Sequence, residues 1–203
     1  MDPKLETALN FLKRGDFETA KSVLKSWVES SPNNSLAKFH YGMCLSQIGD
    51  LIEAEVQLHE CVVLNESMVQ AWIGLGVLYA RKKDKAKAEF HFSKALELDE
   101  TDVNAKRNLA SIYTGSQKYD KALNLYSTLP ESALADPMTL YALGICYLYT
   151  ENLQKAGEIF KKLEAIGIPE SIKKEFSGLK DLLEEKRIES KGIWTFLEDS
   201  GFD

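Results

Sequence analysis

The chain is poor in the residues that most often mark chemistry, cross-links or membrane insertion. It has three cysteines in 203 residues, Cys44, Cys61 and Cys146. The number is odd and no pair has metal-ligand spacing, so a disulfide framework and a zinc site are both unexpected, and the reading is a reduced, cytoplasmic protein. His59-Glu60 begins a zincin-like pattern, but Val63 stands where the second histidine is needed. His40, His59 and His91 fall at unrelated places in the pattern set out below. With 5 prolines and 12 glycines the chain fits neither collagen-like nor low-complexity classes. No apolar run reaches the roughly 18 residues of a transmembrane helix, so no membrane insertion is expected. The first residues, MDPKLETALNFLKRGDF, carry an early acid and no signal-length apolar stretch, so no targeting segment is expected. Lys and Arg total 25 against 31 Asp and Glu, a net charge of -6. Phosphate backbones are repelled by that balance, which argues against nucleic acid. There is no G-x-S-x-G and no G-x4-G-K-[ST]; no cofactor, metal or catalytic residue is expected, and the chain reads as a non-enzyme.

What the chain does have is a period. Stepping by 34 from Ala8 gives Gly42, Gly76, Ala110 and Gly144; stepping from Ala20 gives Ala54, Ala88, Ala122 and Ala156. Large residues hold the same phase: Phe11, Leu45, Tyr79, Tyr113 and Tyr147, then Leu24, Leu58, Phe92, Tyr126 and Phe160. Such self-similarity marks a repeat architecture. Within one unit, Trp72, Leu75, Gly76 and Tyr79 lie on one helix face, and Ala88, Phe92 and Ala95 on another. Small residues let two helices cross closely while a bulky partner fills the space alongside. Between the halves stand Gly15-Asp16, Gly49-Asp50, Lys83-Asp84 and Glu151-Asn152, where Asp or Asn caps the second helix. Pro32 ends the first unit, Asp136-Pro137 reads as a cap with proline in the first helical turn, and Pro130 predicts an early end or a kink. "GLG" at 74–76 lies inside a helix pattern and is packing, not a phosphate loop.

These residues resemble the tetratricopeptide repeat family, W-x2-L-G-x2-Y followed by A-x3-F-x2-A, which residues 72–95 match throughout. Elsewhere the Trp position is Lys4, Lys38, Lys106 and Leu140, and the closing proline survives only as Pro32. The resemblance implies an all-α fold, a right-handed superhelix (α-solenoid) of five antiparallel helix pairs, with units at 1–34, 35–68, 69–102, 103–136 and 137–170. A capping helix is predicted over 171–189, with Ile172, Phe176, Leu179 and Leu183 as its apolar stripe; a solenoid needs such a cap to cover its last apolar face. Residues 190–203 form an apolar tail holding Trp194, Phe196, Leu197 and Phe202.

The resemblance also implies that the first helices line a groove in which another protein or peptide docks. Its lining would include Leu5, Leu9, Leu36, Phe39, His40, Met43, Ile73 and Val77, then a polar stretch of Asn104, Arg107 and Asn108, then Met138, Tyr141, Ile145 and Tyr149. No three consecutive units supply the family's carboxylate clamp. The lining suits an apolar or amphipathic segment of a partner, which makes the chain a scaffold or adaptor. The alternative is a self-associating or chaperone-like protein, a homo-oligomer whose groove holds its own or a neighbour's tail around Trp194. A third reading, an enzyme with an unfamiliar site near Arg107 and Asn108, lacks a nucleophile or acid–base pair.

Overall fold

The structure, a computed structural model, describes residues 2–199, with side chains for residues 2–190. Among the described residues all regular structure is helical. The helices run α1 (Pro3–Lys13), α2 (Phe17–Ser30), α3 (Ser35–Ile48), α4 (Leu51–Leu64), α5 (Val69–Arg81), α6 (Lys85–Leu98), α7 (Val103–Gly115), α8 (Tyr119–Tyr126), α9 (Glu131–Leu134), α10 (Pro137–Tyr149), α11 (Leu153–Ile166) and α12 (Lys173–Asp199). The chain forms two compact units, Met1–Asn108 and Leu109–Asp203, whose boundary falls inside α7. In the first, helices α1 to α6 pack each against the next along the chain. In the second, α10 packs on α8 and α11, and α12 on α11.

The period in the sequence is a period in the backbone. The second helices of the pairs start at Phe17, Leu51, Lys85, Tyr119 and Leu153, each 34 residues after the last. Two residues before each start the backbone turns left-handed, at Gly15, Gly49, Lys83, Gln117 and Glu151, with φ between 60° and 100°. The next amide then reaches back to the first helix: Asp16 to Phe11 O, Asp50 to Leu45 O, Asp84 to Tyr79 O, Lys118 to Tyr113 O and Asn152 to Tyr147 O, at 2.9–3.0 Å. This is a Schellman-type closure, which satisfies carbonyls the helix end leaves free. Asp16, Asp50, Asp84 and Asn152 then cap the second helices, accepting from Thr19, Glu53, Lys87 and Lys155 amides. The anticipated caps are therefore in place; the turn before α8 has Lys118 instead and makes no side-chain cap.

Close helix crossings carry the core. Ala20, Ala54, Ala88, Ala122 and Ala156 are fully buried. A methyl built on Gly76 would lie 2.5 Å from the Phe92 ring, and one on Gly144 would lie 2.2 Å from Phe160. Leu58 fills the same role against Gly42. Glycine at these points is a contact requirement: the facing side chain occupies the place of a Cβ. The Trp position has been reassigned in the first unit. Lys4 Nζ crosses to Ser30 Oγ at 2.7 Å, and the mostly buried Lys38 reaches Glu60 at 2.5 Å. Each thus ties the first helix of a pair to the second, with a charge where the third pair has an indole.

Pro130 acts as anticipated. Helix α8 stops at Tyr126, and Pro130 becomes the cap residue of the four-residue α9. The expected stripe of the final helix is also where the structure puts it: Ile172, Phe176 and Leu183 are buried with Leu140, Leu148, Phe160 and Leu163, and Leu179 packs alongside. Phe160 and Phe176 meet edge to face at 5.2 Å. Arg187 lies over Gly157, whose missing side chain leaves the room, and donates to Leu153 O and Glu184. Helix α12 continues to Asp199, past the boundary at residue 189 drawn from the sequence; no proline stands in that stretch. The side chains of Trp194, Phe196 and Leu197, and Phe202 as a whole, lie outside the described residues.

Candidate functional site

Helices α3 and α5 each have one face that is less buried than the other. On α3 that face carries Leu36, Phe39, His40, Met43 and Gln47, at positions i, i+3, i+4, i+7 and i+11. The opposite face, with Ala37, Tyr41, Cys44 and Leu45, is buried in the pair. On α5 the less buried face carries Ile73 and Val77, both half-buried. The two helices meet here: a methyl on Gly74 would lie 3.1 Å from Met43 Sδ and 3.4 Å from the Phe39 ring. Phe39 and Met43 therefore each divide their surface between packing on α5 and the open face. His40 stands edge-on to Phe39 at 5.1 Å, and burial lowers its pKa.

The remaining candidates are spread differently. Leu5 is buried and belongs to the core; Leu9 is half-buried and Leu36 exposed. Arg107 Nη2 donates to Asn104 Oδ1 at 3.3 Å, so these two hold each other on α7, with Asn108 half-buried beside them in sequence. In the second unit Met138 and Tyr149 are exposed, and Tyr141 and Ile145 half-buried. Tyr141 packs against the cluster under α12, and its phenol is pushed up first by burial and then by Glu175 of that helix. Tyr149 stacks on Tyr119 at 5.1 Å and borders a cavity of about 640 Å³ with Lys118, Lys121 and Thr150. The face of α10 is thus partly taken up by the capping helix.

One constellation was not foreseen. His59 and His91, unrelated in the repeat pattern, come within 5.9 Å, because one lies on α4 and the other on α6 around α5. His91 lies parallel to Tyr79, and the Trp72 ring stands tilted to His91 at 5.7 Å. Tyr79 Oη donates to Glu55 at 2.6 Å, so its oxygen is left to accept from His59 Nε2 at 3.1 Å. Lys82 also donates to Glu55. Lys82, then Tyr79, hold the Glu55 carboxyl below its usual range; burial, then Glu55, pushes the Tyr79 phenol up. Burial drops His91 to about 4, and its Nδ1 has no partner. Only spatial neighbourhood across two repeats could have revealed this group. Among the described residues no three His, Cys, Asp or Glu side chains are grouped to hold a metal ion. The three thiols are buried, and burial raises Cys61 to about 11 and also raises Cys44 and Cys146. Such thiols are poor nucleophiles at neutral pH. Among the described residues no helix is long and apolar enough to cross a membrane.

Compared with known proteins, residues 69–102 match the model of a family described as Tetratricopeptide repeat. A TPR repeat-containing protein of Dictyostelium discoideum is 26% identical over 149 residues, which cover 70% of this chain and 57% of that protein. A protein O-mannosyl-transferase of Caenorhabditis elegans is 30% identical over 103 residues, 51% of this chain and 14% of that protein. The chain thus spans little more than half of one curated relative and a small part of the other. Among solved structures, MamA superposes with a TM-score of 0.65 at 22% identity, over 79% of this chain and 87% of MamA. YrrB, described as a TPR protein with an unusual peptide-binding site, gives 0.63 at 20% identity, covering 81% and 85%. A chain of the APC/C hetero-tetramer Cut9–Hcn1 gives 0.72 at 23%, covering 88% of this chain and 35% of that one. At these identities the likeness is one of fold.

Proposed function

We propose that this tetratricopeptide-repeat chain is a non-enzymatic scaffold that holds an apolar or amphipathic segment of another protein on the less buried faces of its first helices. The observation that carries this reading is the run of half-buried apolar side chains on α3 and α5, Phe39, Met43, Ile73 and Val77, on the less buried face of each helix. Burying one such side chain fully against a partner gains roughly 1.5–3 kcal/mol. Two or three anchors, less the cost of ordering a segment, correspond to about micromolar affinity. Arg107, held by Asn104, offers hydrogen bonds that would fix the register of the bound segment. The description of YrrB as a peptide-binding TPR protein supports the same use of the fold. The likeness to a mannosyl-transferase is confined to 103 residues of it and does not argue for catalysis here.

The test is co-purification from cells with the wild-type chain and with Phe39→Asp and Val77→Asp variants, each checked for helicity. Loss of a shared set of partners in both variants is the expected result. Identical partner sets in all three would reject the reading.

A further inference from the structure

We infer that Ser31 is a site of phosphorylation by a proline-directed protein kinase, and that its phosphate is held in the turn after α2 as a carboxylate is held in the turn after α6. The chain has five prolines, and only Pro32 follows a hydroxyl residue; the others follow Asp2, Leu129, Asp136 and Ile168. A kinase that offers no acceptor to the amide after the phosphorylated residue selects proline there, because proline has no N–H to leave unpaired. Ser31 and Pro32 lie in the connection between α2 and α3, where Pro32 and Asn33 are exposed and Ser31 is half-buried. Among the described residues the Ser31 hydroxyl has no hydrogen-bond partner. The neighbouring Ser30 hydroxyl is engaged: it donates to Trp27 O at 3.0 Å and accepts from Lys4 Nζ at 2.7 Å.

The repeat shows what an anion does at this place. Ser31, Asn65 and Asp99 stand 34 residues apart, each just past the end of a second helix. Their backbones match, with φ −145°, −149° and −143° and ψ 68°, 86° and 95°. Each carbonyl accepts from the amide three residues on, at 3.0, 3.2 and 3.2 Å. Asp99 Oδ1 also accepts from the Thr101 amide at 2.9 Å and the Thr101 hydroxyl at 2.7 Å. Those bonds, the hydroxyl first, hold the Asp99 carboxyl below its usual range, so this turn favours the charged form. Asn65 Oδ1 accepts from the Ser67 hydroxyl at 2.9 Å. In the first unit the counterpart of the Thr101 amide is that of Asn33, which among the described residues has no acceptor. A phosphate on Ser31 brings acceptor oxygens one bond beyond the place of the Asp99 carboxylate oxygens, within reach of that amide.

Lys4 supplies the counter-charge. Its ammonium donates to Ser26 O at 3.3 Å and to Ser30 Oγ, at the end of α2 beside Ser31. Among the described residues it pairs with no carboxylate. A dianion at the carbonyl end of a helix is repelled by the dipole, and this ammonium offsets that repulsion. In the transfer, Ser31 Oγ attacks the γ-phosphorus of ATP. The new O–P bond forms as the bond to the β-phosphate oxygen breaks, ADP leaves, and the hydroxyl proton passes to the base of the kinase.

The test incubates the full chain with ATP, Mg²⁺ and a proline-directed kinase, and locates the phosphate by mass spectrometry. Ser31→Ala and Pro32→Ala are treated alike, and their melting is compared with wild type so that a loss of fold is not read as a loss of site. The expected result is one phosphate, on Ser31, absent from Ser31→Ala and reduced about tenfold or more in Pro32→Ala. In the phosphorylated, nitrogen-15-labelled chain the Asn33 amide proton should move downfield and follow the phosphate through its titration at about pH 6. Lys4→Gln should move that midpoint upward, since the ammonium favours the dianion. No phosphate on Ser31, incorporation indifferent to Pro32, an Asn33 amide that does not respond, or a midpoint unmoved by Lys4→Gln would overturn the proposal.

Discussion

His91 lies flat on Tyr79, ring centres 5.1 Å apart and planes within 1° of parallel, while its Nδ1 faces no partner. The stack holds a neutral imidazole between α4, α5 and α6, and a protonated ring would bring an unpaired charge into that space, with Lys87 on the same helix adding repulsion.

Acid should loosen this contact. His91 has its folded pKa near 4, below the ordinary imidazole value of 6.5, so the unfolded chain takes up a proton that the folded chain refuses. Stability from this group is whole above pH 6.5 and falls as the pH drops from there toward 4. Linkage puts the loss at about 2 kcal/mol between pH 7 and pH 5. Glu55 and His40, both lowered, act in the same direction. Urea unfolding at the two pH values measures the loss, and His91→Phe should remove most of the difference.

Gly144 and Phe160 should behave as one unit. Gly144→Ala puts a methyl where the ring stands and is expected to cost about 1–3 kcal/mol. In an otherwise wild-type chain Phe160→Leu also destabilises, by leaving space. Combined, the two should cost less than their sum, since Ala8 with Leu24 occupies the same register in the first pair. A double-mutant cycle by urea unfolding checks the sign of the coupling.

The hairpin tips carry removable strain. Lys83 and Glu151 have φ near +60°, a conformation that costs a side-chain-bearing residue about 1–2 kcal/mol. Lys83→Gly and Glu151→Gly should each raise stability by about 0.5–1 kcal/mol, the remainder being offset by the greater freedom of glycine when unfolded. Thermal melts of the single variants measure this. The same change at Gln117, with φ 60°, should act alike.

Phe176 should be needed to keep α12 in place. It is buried and meets Phe160 edge to face. Phe176→Ala is expected to cost about 3–5 kcal/mol. Hydrogen exchange should show lost protection first in α12 and in the face of α11 beneath it.

Much of this molecule could be read from spacing. The alanines at 20, 54, 88, 122 and 156 are buried as their register demands, and Asp16, Asp50, Asp84 and Asn152 cap the helices they precede. Such features are local, or repeat a local rule, and so leave a trace in the order of residues. The tips were half-legible: glycine at 15 and 49 announces a left-handed residue, whereas Lys83, Gln117 and Glu151 hide it. Contacts between residues at unlike repeat positions were not legible. His59 with His91, and Lys38 with Glu60, depend on how neighbouring helices lie side by side. The groove lining is hidden for the same reason: spacing places Leu5 on it although the core claims that residue, and carries no trace of the contact of Tyr141 with the cluster under α12. Ile52, Val56 and Val63 of α4 look in the sequence like other apolar helix residues, and only burial shows that they are exposed.

The left-handed residue of each hairpin has one more effect. Because its backbone path recurs at all five tips, whatever side chain stands there leaves the surface in one fixed direction relative to its own hairpin. Two tips are bare and the other three display an amine, an amide and a carboxylate in turn. The tips are thus interchangeable display positions, where the outward chemistry of a hairpin can be rewritten by a single codon while its interior stays as it was.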